Sequence, residues 1–511
     1  MLEQKTHWTF HMVTFGCKVN QYEIQAIREA WLACGAVEMD QAFVALAEDE
    51  SLGDVHADGL ADTKNSAPIL ESFANVVLIN SCAVTARAIT DLRQYINRLH
   101  RIAPLCRILV TGCAAQILAP TIAEMAGVEA VISQEGKDAL CGYNPDSLRD
   151  DNPLQNHQLA SCFPTGPLQK VNKKAVQEKI SIDCTEAHAK NAEEMLVPQK
   201  SLSYSALRIT DFKRARPVVK VQDGCSHGCT YCIVPLARGR SRSREAHDII
   251  AELRTLLAAG FREIMLSGIN LRQYGRDLEP RINFWNILQM IERELAPEWH
   301  GTARIRLSSL EPGQMGDEAL ETLVQSRLVC PHLHISLQSG SYGVLRRMGR
   351  GHYKPAPLLD FLEKLHEIWP TYALGADILM GFPQESEAEY TETLDVVRAM
   401  PLTYAHVFPF SRRPHTVAAV MDGQIPREIK KVRAAAVRSL ISEKKALFIE
   451  SLKHRHDLSV VLDGHGSHKG VTQYYVDCHV VDVPENHDAR ALLNVYYAGH
   501  DGDSDFLVRP M

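Results

Sequence analysis

Three cysteines on one short stretch carry the strongest chemical signal in the sequence: Cys225-Ser-His-Gly-Cys229-Thr-Tyr-Cys232, a C-x3-C-x2-C spacing. Three thiolates this close on one loop suit three irons of a 4Fe–4S cube. A cube with three protein ligands leaves one iron open, and an open metal position is where a cofactor or substrate coordinates. The spacing differs from the C-x2-C-x2-C run of fully ligated bacterial clusters. A structural zinc site would want a fourth ligand, for which His227 is the local candidate; unligated thiols are the other alternative. Three further cysteines, Cys17, Cys82 and Cys113, each follow an apolar, strand-like run. Taken alone, these three read equally well as buried strand-end thiols. Cys162 and Cys184 have no partner at ligand spacing and read as free thiols.

The elements that must position these residues are legible as alternating runs. Apolar segments at Thr9–Phe15, Val76–Ile79 and Arg107–Thr111 read as buried parallel strands, with helical patterns at Glu23–Ala33 and Thr85–Arg101. Strands alternating with helices predict an α/β domain whose ligands gather at the carboxyl ends of its strands. Farther on, strand-like runs at Val218–Val221, Glu263–Ser267, Arg304–Ser308, His332–Leu337, Ala376–Met380 and Ala405–Phe408 alternate with helical ones. Six such repeats predict an open, partial TIM-type barrel with its chemistry at the strand C-termini.

The expected organisation is therefore a Rossmann-like parallel-sheet domain at 1–145 and a linker or insertion at 146–210, free of ordered structure in part. A (β/α)6 barrel at 211–425, a basic amphipathic helix at 426–456 and a small β module at 457–511 follow. Ala45–Asn65 reads as an acidic loop. The chain has 511 residues, 45% of them hydrophobic, and a net charge of −7. No run is long and apolar enough for a transmembrane helix, and the N-terminus lacks the order of a signal peptide. A cytoplasmic protein without membrane contact is expected, and thirteen cysteines then argue for thiolate ligands or buried thiols over disulfides.

The motifs resemble a known family. C-x3-C-x2-C after the first barrel strand is similar to the radical SAM superfamily, with Tyr231 at the aromatic position beside the cofactor. Gly16-Cys17-Lys18-Val19-Asn20-Gln21-Tyr22-Glu23, Asn80-Ser81-Cys82-Ala83-Val84-Thr85 and Thr111-Gly112-Cys113-Ala114-Ala115-Gln116 resemble the three cysteine motifs of methylthiotransferases. PLARGRSRSR, HISLQSG, GADILMGFP and FPFSRRP resemble that family's barrel. The resemblance implies two 4Fe–4S clusters, one on Cys17, Cys82 and Cys113 and one on Cys225, Cys229 and Cys232. It further implies two S-adenosylmethionines per turnover, one methylating a cluster-held sulfur and one cleaved to a 5′-deoxyadenosyl radical. An unactivated adenine C2–H bond has no useful acidity, so a radical is what breaks it.

Among the family's branches, GCKVNQYE is most similar to the one acting on threonylcarbamoyladenosine beside the tRNA anticodon. The others act on isopentenyl-type adenosines or on an aspartate of a ribosomal protein. A non-enzymatic iron–sulfur or RNA-binding protein is the reading of a different class, and the two intact triads argue against it. An electron donor such as flavodoxin or ferredoxin and a monomer are expected; neither these nor the sulfur source can be read from the residues.

Gly268, Asn270, Ser308, Gln338 and Asp377 lie at predicted strand ends and, with Arg238, are candidates to contact S-adenosylmethionine; caps on the backbone are the bland alternative. Arg240, Arg242 and Arg244 are candidates for the tRNA backbone, since guanidinium forks suit phosphate. Asp211–Arg244 holds eight bases against two acids, and Pro426–His456 nine against three. Asp457–Met511 holds nine acids against three bases, which weakens the case for RNA contact by the terminal module, although that module faintly resembles the RNA-binding TRAM barrel.

Overall fold

The structure, a computed structural model, describes residues 8–39, 74–84, 86–145, 204–464, 466–501 and 504–511. The expected 45–65 loop, Cys162, Cys184 and the 146–203 part of the expected linker lie outside the described residues. The chain divides into two compact units, one holding the N-terminal domain with Ser205–Leu207 and the other running from Arg208 to Met511.

The first unit is built on a five-stranded sheet in the order β2-β1-β3-β4-β5: β1 Thr9–Phe15, β2 Val37–Glu38, β3 Val76–Ser81, β4 Arg107–Gly112 and β5 Val128–Val131. All its pairings are parallel. β3 is buried at every residue, as a strand covered on both faces must be. An aliphatic core of Val77, Ile79, Ile108 and Val110 receives Leu92, Ile96 and Leu99 from the helix Ala86–Ile102, spaced for one helical face. Trp8, Phe10, Trp31 and Tyr143 form a separate aromatic cluster, with Trp8 and Trp31 centroids 4.9 Å apart. The first helix runs Lys18–Ala33, starting five residues before the sequence pattern placed it. Polar Asn20 and Glu23 are buried on its inner face, so hydrophobic periodicity alone starts it too late.

The second unit contains six parallel strands: β6 Val218–Asp223, β8 Glu263–Gly268, β9 Arg304–Leu307, β10 His332–Gln338, β11 Ala373–Met380 and β12 Tyr404–Pro409. β7 Arg242–Ser243 adds antiparallel to β6, and the bridges Ile305–Val329 and Leu310–Ile335 link the β9 region to β10. Along β10, Leu333, Ile335 and Leu337 alternate with His332, His334 and Ser336, so one face is apolar and the other carries chemistry.

The helix Arg427–Leu452 packs on this barrel through Ala434, Val437 and Ile441. Its basic stripe is largely consumed internally. Arg433 pairs with buried Glu385 at 2.7 Å, Arg438 donates to Val407 O, and Lys444 to Met400 O.

The C-terminal segment closes into a five-stranded barrel of β13 Leu458–Leu462, β14 Lys469–Thr472, β15 Asp477–Val480, β16 Leu493–Asp501 and β17 Ser504–Pro510. The β-branched and aromatic run YYVDCHVV, Tyr474–Val481, is broken by a turn. Tyr475 has φ +58° in a turn, Tyr474 is buried below it, and only Asp477–Val480 pairs. Arg304 and Arg306 join this module to the larger barrel: both bind buried Glu263, and they donate to Ser459, Val471, Thr472 and Gln473 carbonyls.

Candidate metal centres

In the second unit the loop that holds Cys225, Cys229 and Cys232 leaves the end of β6. Gly224 turns the chain with φ +68°, and a Cβ there would sit 2.0 Å from Arg240 O, so only glycine fits. The Cys225 N–H donates to Gly239 O at 3.0 Å, the Cys232 N–H to Cys229 O at 3.1 Å, and the Thr230 N–H to Met348 O at 3.0 Å. These bonds fix the loop against the strap Val234–Gly239 and against the helix Tyr342–Arg347.

Around the sulfurs are groups that donate to them. Asn270 Nδ2 lies 3.6 Å from Cys225 Sγ, the His227 N–H 3.4 Å from the same sulfur, and Arg350 reaches Cys229 Sγ at 3.9 Å. Burial pushes the thiols up, Cys229 to about 11 and Cys232 to about 12. Such thiols keep their protons at neutral pH until a metal displaces them. Glu311 anchors the surround, 3.0 Å from both Arg350 and His352 and 3.4 Å from His227. Burial pushes its carboxyl up, but hydrogen bonds from the two histidines and the Arg350 charge outweigh it and hold the group below the usual carboxylate range.

In the first unit, strand register assembles the other triad. Phe15 of β1 pairs with Ser81 of β3, and Ser81 pairs with Gly112 of β4. Cys82 and Cys113 follow those paired residues directly, and Cys17 comes two residues after Phe15, so three distant cysteines reach one sheet edge. In a sheet of this order the crevice beyond β1 and β3 is the topological switch point, where ligands bind.

Cys17 sits at the N-cap of the helix Lys18–Ala33 and Cys113 opens the helix Cys113–Ala123, placing both at the positive ends of helix dipoles, which favour anionic groups. A Cβ on Gly16 would meet Cys82 Cβ at 3.2 Å, and one on Gly112 (φ +97°) would meet Asn80 Oδ1 at 2.4 Å. The supporting residues are not cysteines: Lys137 bridges Glu23 at 2.6 Å and Gln134 at 2.7 Å, and Gln134 Nε2 lies 3.8 Å from Cys113 Sγ. Asn80 Nδ2 donates to Asn20 O at 3.2 Å.

The remaining sequence-predicted residues fall into groups. Asn270 touches the cysteine loop directly, and Gly268 closes against Gln222 with no room for a side chain. Tyr231 packs on Phe382, centroids 6.4 Å apart. Gln338 ends β10 with φ +62°. Among the described residues Ser308 Oγ and Asn270 Oδ1 are buried without a hydrogen-bond partner. Two such orphans at strand ends cost about 1–3 kcal/mol each until a polar ligand meets them, which fits a cofactor seated above the strands. Asp377 instead faces His334, 3.2 Å away.

The arginines depart most from expectation. Arg238 is buried with Asp223 at 2.9 Å, Arg242 also meets Asp223 at 3.3 Å, and Arg244 is buried against Glu252. Arg244 is therefore not presented to an external phosphate, because its fork is held by an internal carboxylate; Arg240 is the exposed member of the set. The sequence reading missed Glu311, Arg350, Glu23, Gln134 and Lys137. Glu23 is the last residue of the GCKVNQYE motif; the other four carry no local sequence signal, because long-range packing brings them to the sites.

Comparison with known proteins agrees with this geometry. A family model described as the Radical SAM superfamily matches residues 219–397, and one described as uncharacterized protein family UPF0004 matches residues 56–133. The threonylcarbamoyladenosine tRNA methylthiotransferase MtaB of Bacillus subtilis is 32% identical over 424 residues, 83% of this chain and 78% of that one. The MtaB of Thermotoga maritima is 30% identical over 471 residues, 92% of this chain and 90% of its own. The tRNA-2-methylthio-N(6)-dimethylallyladenosine synthase of Caldicellulosiruptor saccharolyticus is 30% identical, covering 85% and 78%. In fold, the radical S-adenosylmethionine methyltransferase TsrM of Kitasatospora setae matches with a TM-score of 0.51 at 15% identity, over 81% of this chain and 75% of that one. Two cysteine triads on the expected scaffolds, with relatives of this similarity along most of their length, mean that the chain belongs to the radical SAM methylthiotransferase family.

Proposed function

We propose that this enzyme adds a methylthio group to carbon 2 of N6-threonylcarbamoyladenosine next to the anticodon of tRNA. Family membership implies a 4Fe–4S cluster and S-adenosylmethionine; the proposal adds a second cluster and a second S-adenosylmethionine per turnover. The observation that carries it is the pair of cysteine triads, each at strand C-termini, in a chain whose relatives named for this reaction match along most of their length. When bound, the clusters and S-adenosylmethionine supply one-electron cleavage and the sulfur that is transferred.

The chain's own residues do the positioning. Cys225, Cys229 and Cys232 hold the cluster of the barrel, and Asn270 and Arg350 donate toward the sulfurs, a contact that stabilises the more negative, reduced state. Ser308 Oγ, Asn270 and Gln338, beside Tyr231 and Gly268, are the groups assigned to S-adenosylmethionine. Cys17, Cys82 and Cys113 hold the second cluster, with Gln134, Lys137 and Glu23 fixing the Cys113 side. Arg240 is left to meet the tRNA backbone. A monomer served by a flavodoxin- or ferredoxin-type donor completes the reading.

The test is nucleoside mass spectrometry of tRNA from cells with and without the gene. Loss of 2-methylthio-N6-threonylcarbamoyladenosine on deletion, and its return with the gene, is the expected result. Loss of the methylthio-isopentenyl nucleoside instead would move the substrate to the other tRNA branch, and a mass shift in a ribosomal-protein peptide would move it to protein.

A further inference from the structure

We propose that His334, Asp377 and His406 form a binding site for a divalent cation of the zinc class, separate from both cysteine triads. The three residues come from three consecutive parallel strands, β10, β11 and β12. Their ligand atoms all lie within 4.8 Å of one another. Asp377 and His406 are cross-strand neighbours in the β11–β12 register, and the imidazoles of His334 and His406 have centroids 5.4 Å apart.

The geometry is closer to a metal site than residue types alone would give. His334 Nε2 and Asp377 Oδ1 are 3.2 Å apart. A tetrahedral ion with bonds of about 2.0–2.1 Å has ligand-to-ligand edges of about 3.3 Å, so this pair already spans one edge. The other ring nitrogen, His334 Nδ1, lies 2.9 Å from Tyr404 Oη. Tyr404 Oη is in turn 2.8 Å from His332 Nε2, and the His332 ring is stacked on Tyr475 at 4.6 Å. A metal-binding histidine ordinarily has its second nitrogen held by an oxygen in this way, which fixes ring and tautomer.

Burial is graded across the site: His334 is buried, Asp377 half-buried and His406 exposed. Three ligands with one open side leave a coordination position for water or for a donor atom of a bound molecule, the pattern of an open site and not of a closed structural one. Cross-strand neighbours of opposite character at the site also argue for an ion: a lone carboxylate between two imidazoles balances the charge of a divalent cation better than two neutral rings would.

The test uses the full chain with its clusters reconstituted, washed with a mild chelator and dialysed against zinc chloride. Zinc, iron and sulfide are then measured per chain. About one zinc per chain is expected, with loss of that zinc and unchanged iron in His406→Ala and in Asp377→Asn. His406 is exposed, so its replacement leaves the packed barrel intact. Zinc-edge X-ray absorption should show a nitrogen and oxygen shell at about 2.0–2.1 Å with imidazole scattering. Tyr404→Phe keeps all three ligands and should weaken binding by about 10–100-fold. Equal zinc in wild type and both variants, or a sulfur shell that places the ion on cysteine thiols, overturns the assignment.

Discussion

The two cysteine triads are opposite in construction. Cys225, Cys229 and Cys232 fall within eight consecutive residues on one loop, so chain connectivity alone keeps them close, and bonds to Gly239 O and Met348 O pin that loop to the barrel. Cys17, Cys82 and Cys113 are spread over about a hundred residues and come to the same end of the sheet only because β1, β3 and β4 pair in one register. A one-residue slip in either strand pair would carry a cysteine away from its partners. The first triad depends on a turn, the second on the whole sheet. The surroundings follow suit: the loop triad is lined by donors such as Asn270 and Arg350, whereas the sheet triad rests on helix N-termini and on the buried Glu23–Lys137 pair with half-buried Gln134.

Removing one sulfur from each triad is the strongest way to break that comparison. Cys229→Ala should abolish both S-adenosylmethionine cleavage and methylthiolation, with iron falling from about eight to about four per chain; iron analysis and 5′-deoxyadenosine release measure this. Cys17→Ala should lower iron by the same amount and stop methylthiolation, yet leave cleavage running. Loss of cleavage in that variant would show that the two sites do not act as separable units.

A smaller effect sharpens the structural side of the contrast. Lys137→Met leaves the buried Glu23 carboxylate without its cation, which should cost the first unit about 3–5 kcal/mol. Calorimetry should then show the transition of that unit lowered while cleavage by the barrel cluster persists. Equal loss from both units would mean the sheet triad is not supported as described.

The smallest predicted effect concerns acid. Burial pushes the Glu263 carboxyl up, but Arg306 and Arg304 outweigh that and hold it below the usual range. A depressed carboxyl contributes stability that is present above its unfolded value of about 4.3 and lost as pH falls below it. Unfolding midpoints of the cluster-free protein between about pH 7 and about pH 3 should therefore drop on the acid side, and Glu263→Gln should flatten that limb. A slope unchanged in the variant would assign the acid response to other carboxylates.

Some of this was legible in the chain itself. The C-x3-C-x2-C loop is a local pattern, and local patterns survive without tertiary context because a few consecutive dihedrals decide them. Most of the barrel strands were legible for a related reason: runs of strand length followed closely by glycine or serine mark their own limits. The start of the first helix and the terminal module were less so. Asn20 and Glu23 are polar residues buried by tertiary contacts, and Tyr474–Tyr475 turns where β-propensity alone would extend.

The fates of the charged residues were decided by the fold alone. Arg238, Arg240, Arg242 and Arg244 look equivalent in sequence, yet three are held by Asp223 or Glu252 and one is exposed. The Arg427–Leu452 helix likewise spends much of its positive charge on carbonyls and carboxylates of the barrel. Residue type sets what a side chain can bind, so two cysteine triads and radical chemistry could be read from the chain alone. Which partners come within reach is set by strand register and helix packing over long chain separations, and so only the tertiary structure decided that Glu311, Lys137 and the His334–Asp377–His406 group stand where they do.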